Sequence, residues 1–115
     1  MKQETGKFGE DLAAAFLRKK GYRIRERNYR TPYGEIDIIC QNHQSLIFIE
    51  VKTRKTETYG APYEAVNKKK IDHLKKAASL YLQSLDRPFA DIRFDVVSIL
   101  LQEKGNRIEH IVAAF

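Results

Sequence analysis

The chain has 115 residues, of which 43% are hydrophobic and 31% are charged. This length fits a single domain over residues 1–115, and the composition supports a packed core, which excludes a disordered chain. The formal net charge of +6 favours polyanionic partners, with nucleic acid ahead of an anionic membrane. A basic surface that is merely solvated remains the alternative.

The one cysteine, Cys40, lies in an apolar run, which is typical of a buried and inert thiol. A single cysteine forms no internal disulfide, and it has no second cysteine at zinc-ligand spacing. The first residues lack the apolar run of a secretory signal, and no stretch approaches the roughly 20 apolar residues of a membrane helix. We therefore expect a cytoplasmic protein that does not contact a membrane.

The first half of the chain is predicted to form a helix and three strands. Apolar residues at helical spacing predict a helix over Thr5–Lys20, and Gly21 marks its end. Apolar and alternating runs between turn signals predict the strands. These strands are Arg23–Arg30, Glu35–Cys40 and Ser45–Arg54, separated by turns at Thr31–Gly34 and Gln41–Gln44.

The second half is predicted to form a helix and two strands after a loop over residues 56–62. The helix covers Tyr63–Leu85, because its apolar residues fall on one face. The third strand of the chain is apolar on both faces, which predicts a central strand covered on both sides. The sequence therefore predicts an α/β fold, a mixed five-stranded sheet flanked by two helices in the order αβββαββ. The last two strands are Asp91–Leu101 and Arg107–Ala113.

Charged side chains interrupt the apolar second and third strands. Glu35 and Asp37 stand in "GEIDIIC", and Glu50 and Lys52 stand in "LIFIEVKTR". Charge in such strands is costly unless it is paired or binds a metal. Because side chains alternate along a strand, Glu35 and Asp37 should share a face of the second strand. By the same rule Glu50, Lys52 and Arg54 should share a face of the third.

The register of the hairpin decides whether these two faces are the same. A turn centred between Asn42 and His43 places Asp37 opposite Phe48. Asp37 and Glu50 are then diagonal neighbours, with Cα atoms ~7–8 Å apart. A slip of one residue would put the two carboxylates on opposite faces of the sheet.

Two carboxylates in one pocket repel each other and favour a cation between them. Oxygen ligands without cysteine or histidine suit Mg²⁺ or Mn²⁺, so we predict Asp37 and Glu50 as metal ligands. Lys52 would orient water or stabilise charge during phosphodiester hydrolysis. The alternative is a structural salt bridge of Glu50 with Lys52 or Arg54, with Asp37 at a strand end.

Two further charged residues lie on the predicted helices. Glu10 borders the apolar arc of the first helix, where it would either reach the sheet or remain solvated near the helix N-terminus. Lys70 falls within the apolar arc of the second helix. It would either extend to the rim of the core or touch a site carboxylate or a phosphate.

The segment 18–30 holds seven basic residues, with Tyr22 and Tyr29 among them. Basic side chains contact phosphates without regard to base sequence. The tyrosines would either stack on exposed bases or pack on the sheet, and packing is favoured for Tyr22. The predicted nucleic-acid contacts are Arg27, Arg30, Arg54 and Lys70.

The remaining candidates favour structural roles. Asp95, in "RFDVV", is expected to form a salt bridge with Arg93 or with a neighbouring strand. The three histidines, His43, His73 and His110, have no ligand spacing among them, and none is given a catalytic role.

The segments "GEIDIIC" and "LIFIEVKTR" resemble the PD-(D/E)XK nuclease motif, with Ile36 in place of its proline. Nearly the whole chain resembles the YraN family of bacterial proteins, through "GKFGEDLAAAFLRKKGYRIRERNYR", "YGAPYEAVNKKKIDHLKKAASLYL" and "RFDVVSI". The resemblance implies a restriction-endonuclease-like core, similar to archaeal Holliday-junction resolvases. It implies Asp37 and Glu50 as metal ligands, Lys52 as the catalytic lysine, and Glu10 as a further acidic site residue.

We therefore expect an endonuclease that uses Mg²⁺ or Mn²⁺ to hydrolyse phosphodiester bonds in DNA, with branched or junction DNA as a candidate substrate. A homodimer would suit a symmetric junction, although nothing in the sequence demonstrates one. One alternative is a non-catalytic nucleic-acid-binding module on a nuclease fold. Another is a protein-interaction module that pairs the terminal strand "IVAAF" with a partner.

Overall fold

The fold is known from a computed structural model, which describes residues 2–55 and 67–115. Five strands form one sheet in the order β1-β2-β3-β4-β5. The β3–β4 pair is parallel and the other pairs are antiparallel, so the sheet is mixed and the predicted order αβββαββ is confirmed. The elements are α1 Lys2–Lys19, β1 Arg23–Thr31, β2 Gly34–Asn42, β3 Ser45–Arg54, α2 Lys68–Gln83, β4 Asp91–Leu100 and β5 Arg107–Ile111.

Helix α1 ends as the sequence predicts, in a glycine turn. Gly21 has a φ of 94°, a left-handed conformation that glycine adopts without strain. The Tyr22 N–H donates to the Leu17 carbonyl at 2.9 Å, and the Gly21 N–H donates to the Arg18 carbonyl at 2.9 Å. This pair of hydrogen bonds is a Schellman motif, which satisfies the last carbonyls of the helix.

Helix α2 begins later than predicted. Asn67 is extended, with φ −83° and ψ 172°, and its side chain accepts a hydrogen bond from the Lys70 N–H. An extended N-cap cannot lie inside a helix, so the prediction of one continuous helix from Tyr63 is wrong at Asn67. The rest of that prediction, residues 63–66, and the predicted loop 56–62 lie outside the described residues. The helix ends at Gln83, two residues before the predicted Leu85.

The β2–β3 hairpin is tighter than predicted, which shifts its register by two residues. The turn contains only His43, with φ 56°, and Gln44, so Asn42 pairs with Ser45. Phe48 consequently pairs with Ile39 and not with Asp37, as the sequence had suggested. Because side chains repeat every two residues, this even shift leaves the side chains of the paired residues Ile38–Asn42 on the predicted face.

The central position of β3 is confirmed by burial on both of its faces. Leu46 and Phe48 pack in the cluster beneath α2, and Ile47 and Ile49 pack in the cluster beneath α1. The predicted fifth strand is too long, because Ala113 adopts a φ of 51° and turns away from the sheet. Over the described residues, neither helix combines the length and apolar character needed to cross a membrane.

Candidate metal centre

The site begins where strand β2 departs from regular alternation. Ile36 packs in the cluster beneath α2, whereas Ile38 packs in the cluster beneath α1, although two residues apart they should share a face. In the neighbouring strand β1, Asn28 has a φ of 52°, a conformation that asparagine tolerates better than most residues. The predicted uninterrupted alternation through Glu35 and Asp37 is therefore wrong at this point of the sheet.

Three carboxylates converge at this irregularity. Ligand oxygens of Glu10, Glu35 and Asp37 all lie within 4.8 Å of one another. The Asn28 Nδ2 amide donates to Glu10 Oε1 at 2.7 Å and to Glu35 Oε1 at 2.9 Å. The amide thus bridges an acid from the helix and an acid from the sheet. Of the two readings open for Glu10, the structure supports the one in which it reaches the site.

Glu10 reaches the sheet because α1 approaches β3 closely at the preceding residue. Gly9 is buried, and a Cβ placed on it would overlap the side chain of Thr53. Glycine is the only residue that permits this approach without displacing the helix. The "GED" sequence therefore combines a close-packing residue with the acidic residue that it positions.

Glu50 contributes a fourth carboxylate, which two lysines approach. Its side chain is 5% exposed, and Oε1 lies 3.0 Å from Lys70 Nζ and 3.8 Å from Lys52 Nζ. Its Oε2 atom is buried and has no hydrogen-bond partner among the described residues. Lys70 therefore touches a site carboxylate, which was one of the two alternatives for this lysine.

The protonation of Asp37 is strongly perturbed. Burial raises its pKa to about 7, and the negative charges of Glu50 and Glu10 add to this effect. The Val51 N–H, which donates to Asp37 Oδ2 at 2.8 Å, and the charge of Lys70 oppose it. The pKa of this carboxyl group is raised by burial and by neighbouring carboxylates. A bound cation would be favoured here, because its positive charge offsets both effects.

The pKa values of Lys52 and Lys70 are shifted in opposite directions. Burial lowers the pKa of Lys52, and the charge of Lys70 contributes, although Glu50 opposes the change. Burial also acts to lower the pKa of Lys70, but the charge of Glu50 and its hydrogen bond outweigh burial and raise it. The tighter ion pair therefore belongs to Lys70, and Lys52 is the more easily deprotonated amine.

A cavity of about 460 Å³ opens between this cluster and the N-terminal end of α2. Tyr33, which is 45% exposed, is part of its lining. Three of its lining residues are the acids Glu35, Asp37 and Glu50. The others include Asn67, Lys69, Lys70 and His73 from α2 and its N-cap.

The predicted arginine contacts are placed around the acids and are mostly paired with them. Arg27 Nη2 lies 2.7 Å from Asp11 Oδ1 and 3.8 Å from Glu10 Oε1. Arg30 Nε lies 3.3 Å from Glu35 Oε2. Arg54 stands at the end of β3, where its carbonyl accepts from the Leu101 N–H at 2.9 Å.

Two site residues were missed by reasoning from the sequence. Asn28 was treated as part of a basic segment, although asparagine within a strand is itself a signal for an unusual backbone conformation. His73 was set aside because it has no ligand spacing with the other histidines. It lies three residues after Lys70, so both side chains fall on neighbouring parts of the same helix face.

A second polar cluster, around Asp95, lies on the α1 side of the sheet. Asp95 accepts from Arg93 at 2.9 Å, from His110 Nε2 at 2.7 Å and from the Ala113 N–H at 2.9 Å. The predicted structural salt bridge is confirmed, with a histidine of the neighbouring strand added to it. Tyr22 packs here and accepts from Arg93 at 3.0 Å.

Tyr29 packs on the opposite face of the sheet. Its ring meets Tyr81 edge-on, with ring centroids 5.1 Å apart. Both tyrosines of the basic segment therefore pack on the sheet, which leaves neither ring free to stack on a base.

The donor set at the first cluster fits a hard divalent cation. The four acids, Glu10, Glu35, Asp37 and Glu50, offer only oxygen, and the unpartnered buried Oε2 of Glu50 still lacks a positive partner. Oxygen-only sites suit Mg²⁺ and Mn²⁺. Glu10, Glu35 and Asp37, with oxygens within 4.8 Å of one another, would hold such an ion, and Glu50, the other predicted ligand, lines the same cavity as Asp37.

These features define an α/β protein whose mixed sheet carries an acidic cavity, in which two lysines approach the carboxylate of Glu50. Residues 9–99 match the family described as "Uncharacterised protein family UPF0102". The chain belongs to this family, which confirms the YraN-type resemblance of the sequence.

Its relatives extend over the whole chain. A UPF0102 protein of Syntrophomonas wolfei is 53% identical over 115 residues and covers 100% of both chains. A UPF0102 protein of Dictyoglomus thermophilum is 47% identical and covers 98% of both chains. A UPF0102 protein of Moorella thermoacetica is 44% identical, covering 99% of this chain and 97% of the relative.

Among solved structures, the chain is similar to Pyrococcus furiosus SfsA in complex with Ca²⁺. The match has a TM-score of 0.39 and 15% sequence identity. It covers 95% of this chain and 62% of the SfsA chain.

Proposed function

We propose that this protein is an endonuclease that uses Mg²⁺ or Mn²⁺ to hydrolyse phosphodiester bonds in DNA. The observation that carries the proposal is the convergence of Asp37 with acids from two other elements, Glu10 from α1, which lies within 4.8 Å, and Glu50 from β3, which lines the same cavity. Charged groups do not gather in a partly buried cavity without a counter-charge or a chemical role. The lysines supply part of that counter-charge, and a cation would supply the rest.

The cation and the lysines have complementary roles in this proposal. When bound, a divalent cation offsets the negative charge of a phosphate and favours ionisation of water. Lys52, whose Nζ lies 3.8 Å from Glu50 Oε1, would as an ammonium stabilise negative charge that develops on the phosphate oxygens. Lys70 is 43% exposed at the cavity rim and can turn from Glu50 to a phosphate.

The substrate class follows from charge and from the site. The net charge of +6 attracts a polyanion, and Arg30, whose side chain is 86% exposed, pairs with the site residue Glu35. We propose DNA as the substrate, with branched or junction DNA as the preferred form and a homodimer as the assembly that would match its symmetry. The unpaired, buried thiol of Cys40 agrees with a cytoplasmic location.

The test is a cleavage assay on single-stranded, duplex and branched DNA, with Mn²⁺, with Mg²⁺ and with EDTA. We expect metal-dependent cleavage that is lost in Asp37→Asn and in Lys52→Met. Lys75→Met removes the same charge from the exposed face of α2 and should cleave normally. Absence of cleavage on every DNA form with either metal would overturn the proposal.

A binding module without catalysis is the second candidate, and one observation favours it. Lys70 already neutralises Glu50, and the raised pKa of Asp37 allows that acid to be neutral, so the site is self-consistent without a metal. This candidate predicts salt-dependent DNA binding that no metal converts into cleavage. It also predicts that Lys52→Met binds DNA as the unaltered protein does.

A further inference from the structure

A second cavity lies on the α2 side of the sheet, at the opposite end of that helix from the acidic cluster. Its volume is about 620 Å³, and it is open to solvent. The start of β1, the β2–β3 turn and the segment 84–89 after α2 form its walls. Ser84 lines this cavity and Lys70 lines the acidic one, so roughly 21 Å of helix axis separates the two.

This second cavity, which we call the arginine groove, is lined by Arg23, Arg25 and Arg87, together with His43. Arg25 is held in a fixed position by two hydrogen bonds. Its Nε donates to the Tyr81 hydroxyl at 2.9 Å, and its Nη1 donates to Gln41 Oε1 at 2.9 Å.

The same guanidinium lies 5.4 Å from the centre of the Phe89 ring, which fixes its plane. A guanidinium ordered in this way loses little further freedom when it binds an anion. Arg25 is therefore a preorganised cation in the wall of the groove.

The other two arginines of the groove differ from three arginines elsewhere in the molecule that form ion pairs. Arg23 and Arg87 are exposed, and in the described part of the chain neither side chain has a carboxylate partner within ion-pair distance. By contrast, the side chains of Arg27, Arg30 and Arg93 each pair with an acid.

Among the described lining residues Asp86 is the one carboxylate, so the groove carries net positive charge. Exposed guanidinium groups without acidic partners are suited to bind phosphate oxygens, which they contact through paired N–H donors.

We propose that the arginine groove binds the phosphate backbone of a duplex arm of the same DNA on which the metal centre acts. This inference rests on the proposed function for the identity of the polyanion. The separation of roughly 21 Å corresponds to about six base pairs at a rise of 3.4 Å. The groove therefore measures the length of duplex beside the cleaved bond, and it adds affinity only when an arm exceeds about six base pairs.

The test compares two double variants of equal charge. Arg23→Gln/Arg87→Gln removes both unpaired arginines of the groove. Arg18→Gln/Lys104→Gln removes two exposed cations outside both cavities. Binding to duplexes of 6, 10 and 16 base pairs is measured by fluorescence anisotropy in EDTA over a range of salt concentrations, so that no cleavage occurs.

For the groove variant we expect about tenfold weaker binding of the 16-base-pair duplex and a salt slope smaller by about two. For the control variant we expect less than threefold loss at every length. The groove variant should match the unaltered protein on the shortest duplex. An equal loss in both variants, or an unchanged salt slope in the groove variant, would overturn the proposal.

A structural role at the carbonyl end of α2 is the competing explanation, because cations are also attracted there. Thermal unfolding of both variants distinguishes it: a lower midpoint with unchanged DNA binding would assign the arginines to the helix and overturn the proposal. Cleavage of the same DNA is measured separately. If the groove difference persists without any cleavage, the groove is upheld and the nuclease proposal fails, whereas absence of DNA binding at low salt overturns both.

Discussion

Lys70 Nζ lies 3.0 Å from Glu50 Oε1, so a lysine from α2 neutralises a carboxylate of β3 that is 5% exposed. The lysine stands on the core-facing side of its helix, where most residues are apolar. A divalent cation that used Glu50 would compete with this ammonium for the same oxygen atom. In the proposed function, Lys70 would therefore weaken the binding of a metal by the cluster.

Replacement of this lysine by a neutral side chain should strengthen metal binding. In Lys70→Met we expect the affinity for Mn²⁺ without DNA to rise about fivefold, which corresponds to ~1 kcal/mol, because the ion no longer displaces an ammonium. Calorimetric titration measures this change. Lys75→Met, an exposed site on the same helix, is the control and should leave the affinity unchanged. Weaker Mn²⁺ binding in Lys70→Met would contradict the competition.

The same variant should lose stability only when metal is absent. Glu50 would then be left as a buried charge with only the more distant Lys52 beside it. We expect the free energy of unfolding to fall by about 1–2 kcal/mol in EDTA, less than for a fully buried pair because Lys70 is partly exposed. Urea denaturation should show recovery with Mn²⁺. A loss that Mn²⁺ does not reverse would assign Lys70 a purely structural role.

The raised pKa of Asp37 predicts an unusual dependence of stability on pH. A carboxyl with a pKa of about 7 when folded, against an ordinary value of 3.8, binds its proton more tightly in the folded state. Stability without metal should therefore decrease as pH rises from about 4 to about 7 and change little from this group above that range. Urea midpoints at pH 5 and pH 8 in EDTA measure the effect.

Asp37→Asn should abolish this decrease, and it should make the metal-free protein more stable than the unaltered protein at pH 8. Asp72→Asn, on the exposed face of α2, should keep the decrease. Mn²⁺ should stabilise the unaltered protein more at pH 8 than at pH 5, because a metal ligand must be deprotonated. Equal midpoints at the two pH values would show that Asp37 is not perturbed as the structure indicates.

The position of Glu10 should depend on the absence of a side chain at residue 9. Gly9→Ala places a Cβ against Thr53, and displacement of α1 should cost about 1–3 kcal/mol of stability and weaken Mn²⁺ binding. Gly6→Ala is the matched control on the same helix, because a Cβ there meets nothing within 4 Å. It should gain about 0.5–1 kcal/mol from higher helix propensity. Equal effects of the two substitutions, measured by urea denaturation, would contradict the close approach.

The Asp95 cluster should contribute to stability and not to metal binding. Burial opposes the ionisation of Asp95, but hydrogen bonds from His110, Arg93 and the Ala113 N–H outweigh burial and lower the pKa of Asp95. Asp95→Asn should cost about 3 kcal/mol at pH 7, since Arg93 would lose its buried partner. Asp91→Asn, exposed at the start of the same strand, should cost far less.

The stability that Asp95 contributes should be lost as the pH falls below about 4, where the carboxylate is protonated in the unfolded chain.

The affinity of the Asp95→Asn and Asp91→Asn variants for Mn²⁺ should stay within twofold of the affinity of the unaltered protein, because Asp95 lies on the other face of the sheet. A large change in Mn²⁺ affinity would connect the two clusters.

Much of the fold followed from local pattern in the sequence. Both ends of strand β3 were predicted correctly, because its apolar run is bounded by clear turn signals. Helix α2 was begun too early, since a capping asparagine at position 67 looks like an ordinary polar helix residue when its backbone is unknown. The hairpin register was wrong by two residues, because turn length depends on whether His43 accepts a positive φ.

The candidate site was likewise predicted only where it depends on local sequence pattern. The convergence of Asp37 and Glu50 was predicted from strand periodicity, and it survived the register error because that error was even. The bridging amide of Asn28 could not be predicted, because it depends on irregular backbone in β1. The Lys70–Glu50 pair depends on how α2 packs on the sheet. Helical periodicity predicts the face of α2 on which Lys70 lies, but it does not predict which residue Lys70 contacts.

The proposed function requires that acids from α1, β2 and β3 together hold one divalent cation. A crystal grown with Mn²⁺, with diffraction recorded on both sides of the manganese absorption edge, tests this claim most directly. We expect an anomalous peak bound to Asp37 and to at least one of Glu10, Glu35 and Glu50, with the Lys70 ammonium moved away from Glu50. A crystal saturated with Mn²⁺ that shows no peak at Asp37, and an intact Lys70–Glu50 contact, would contradict it.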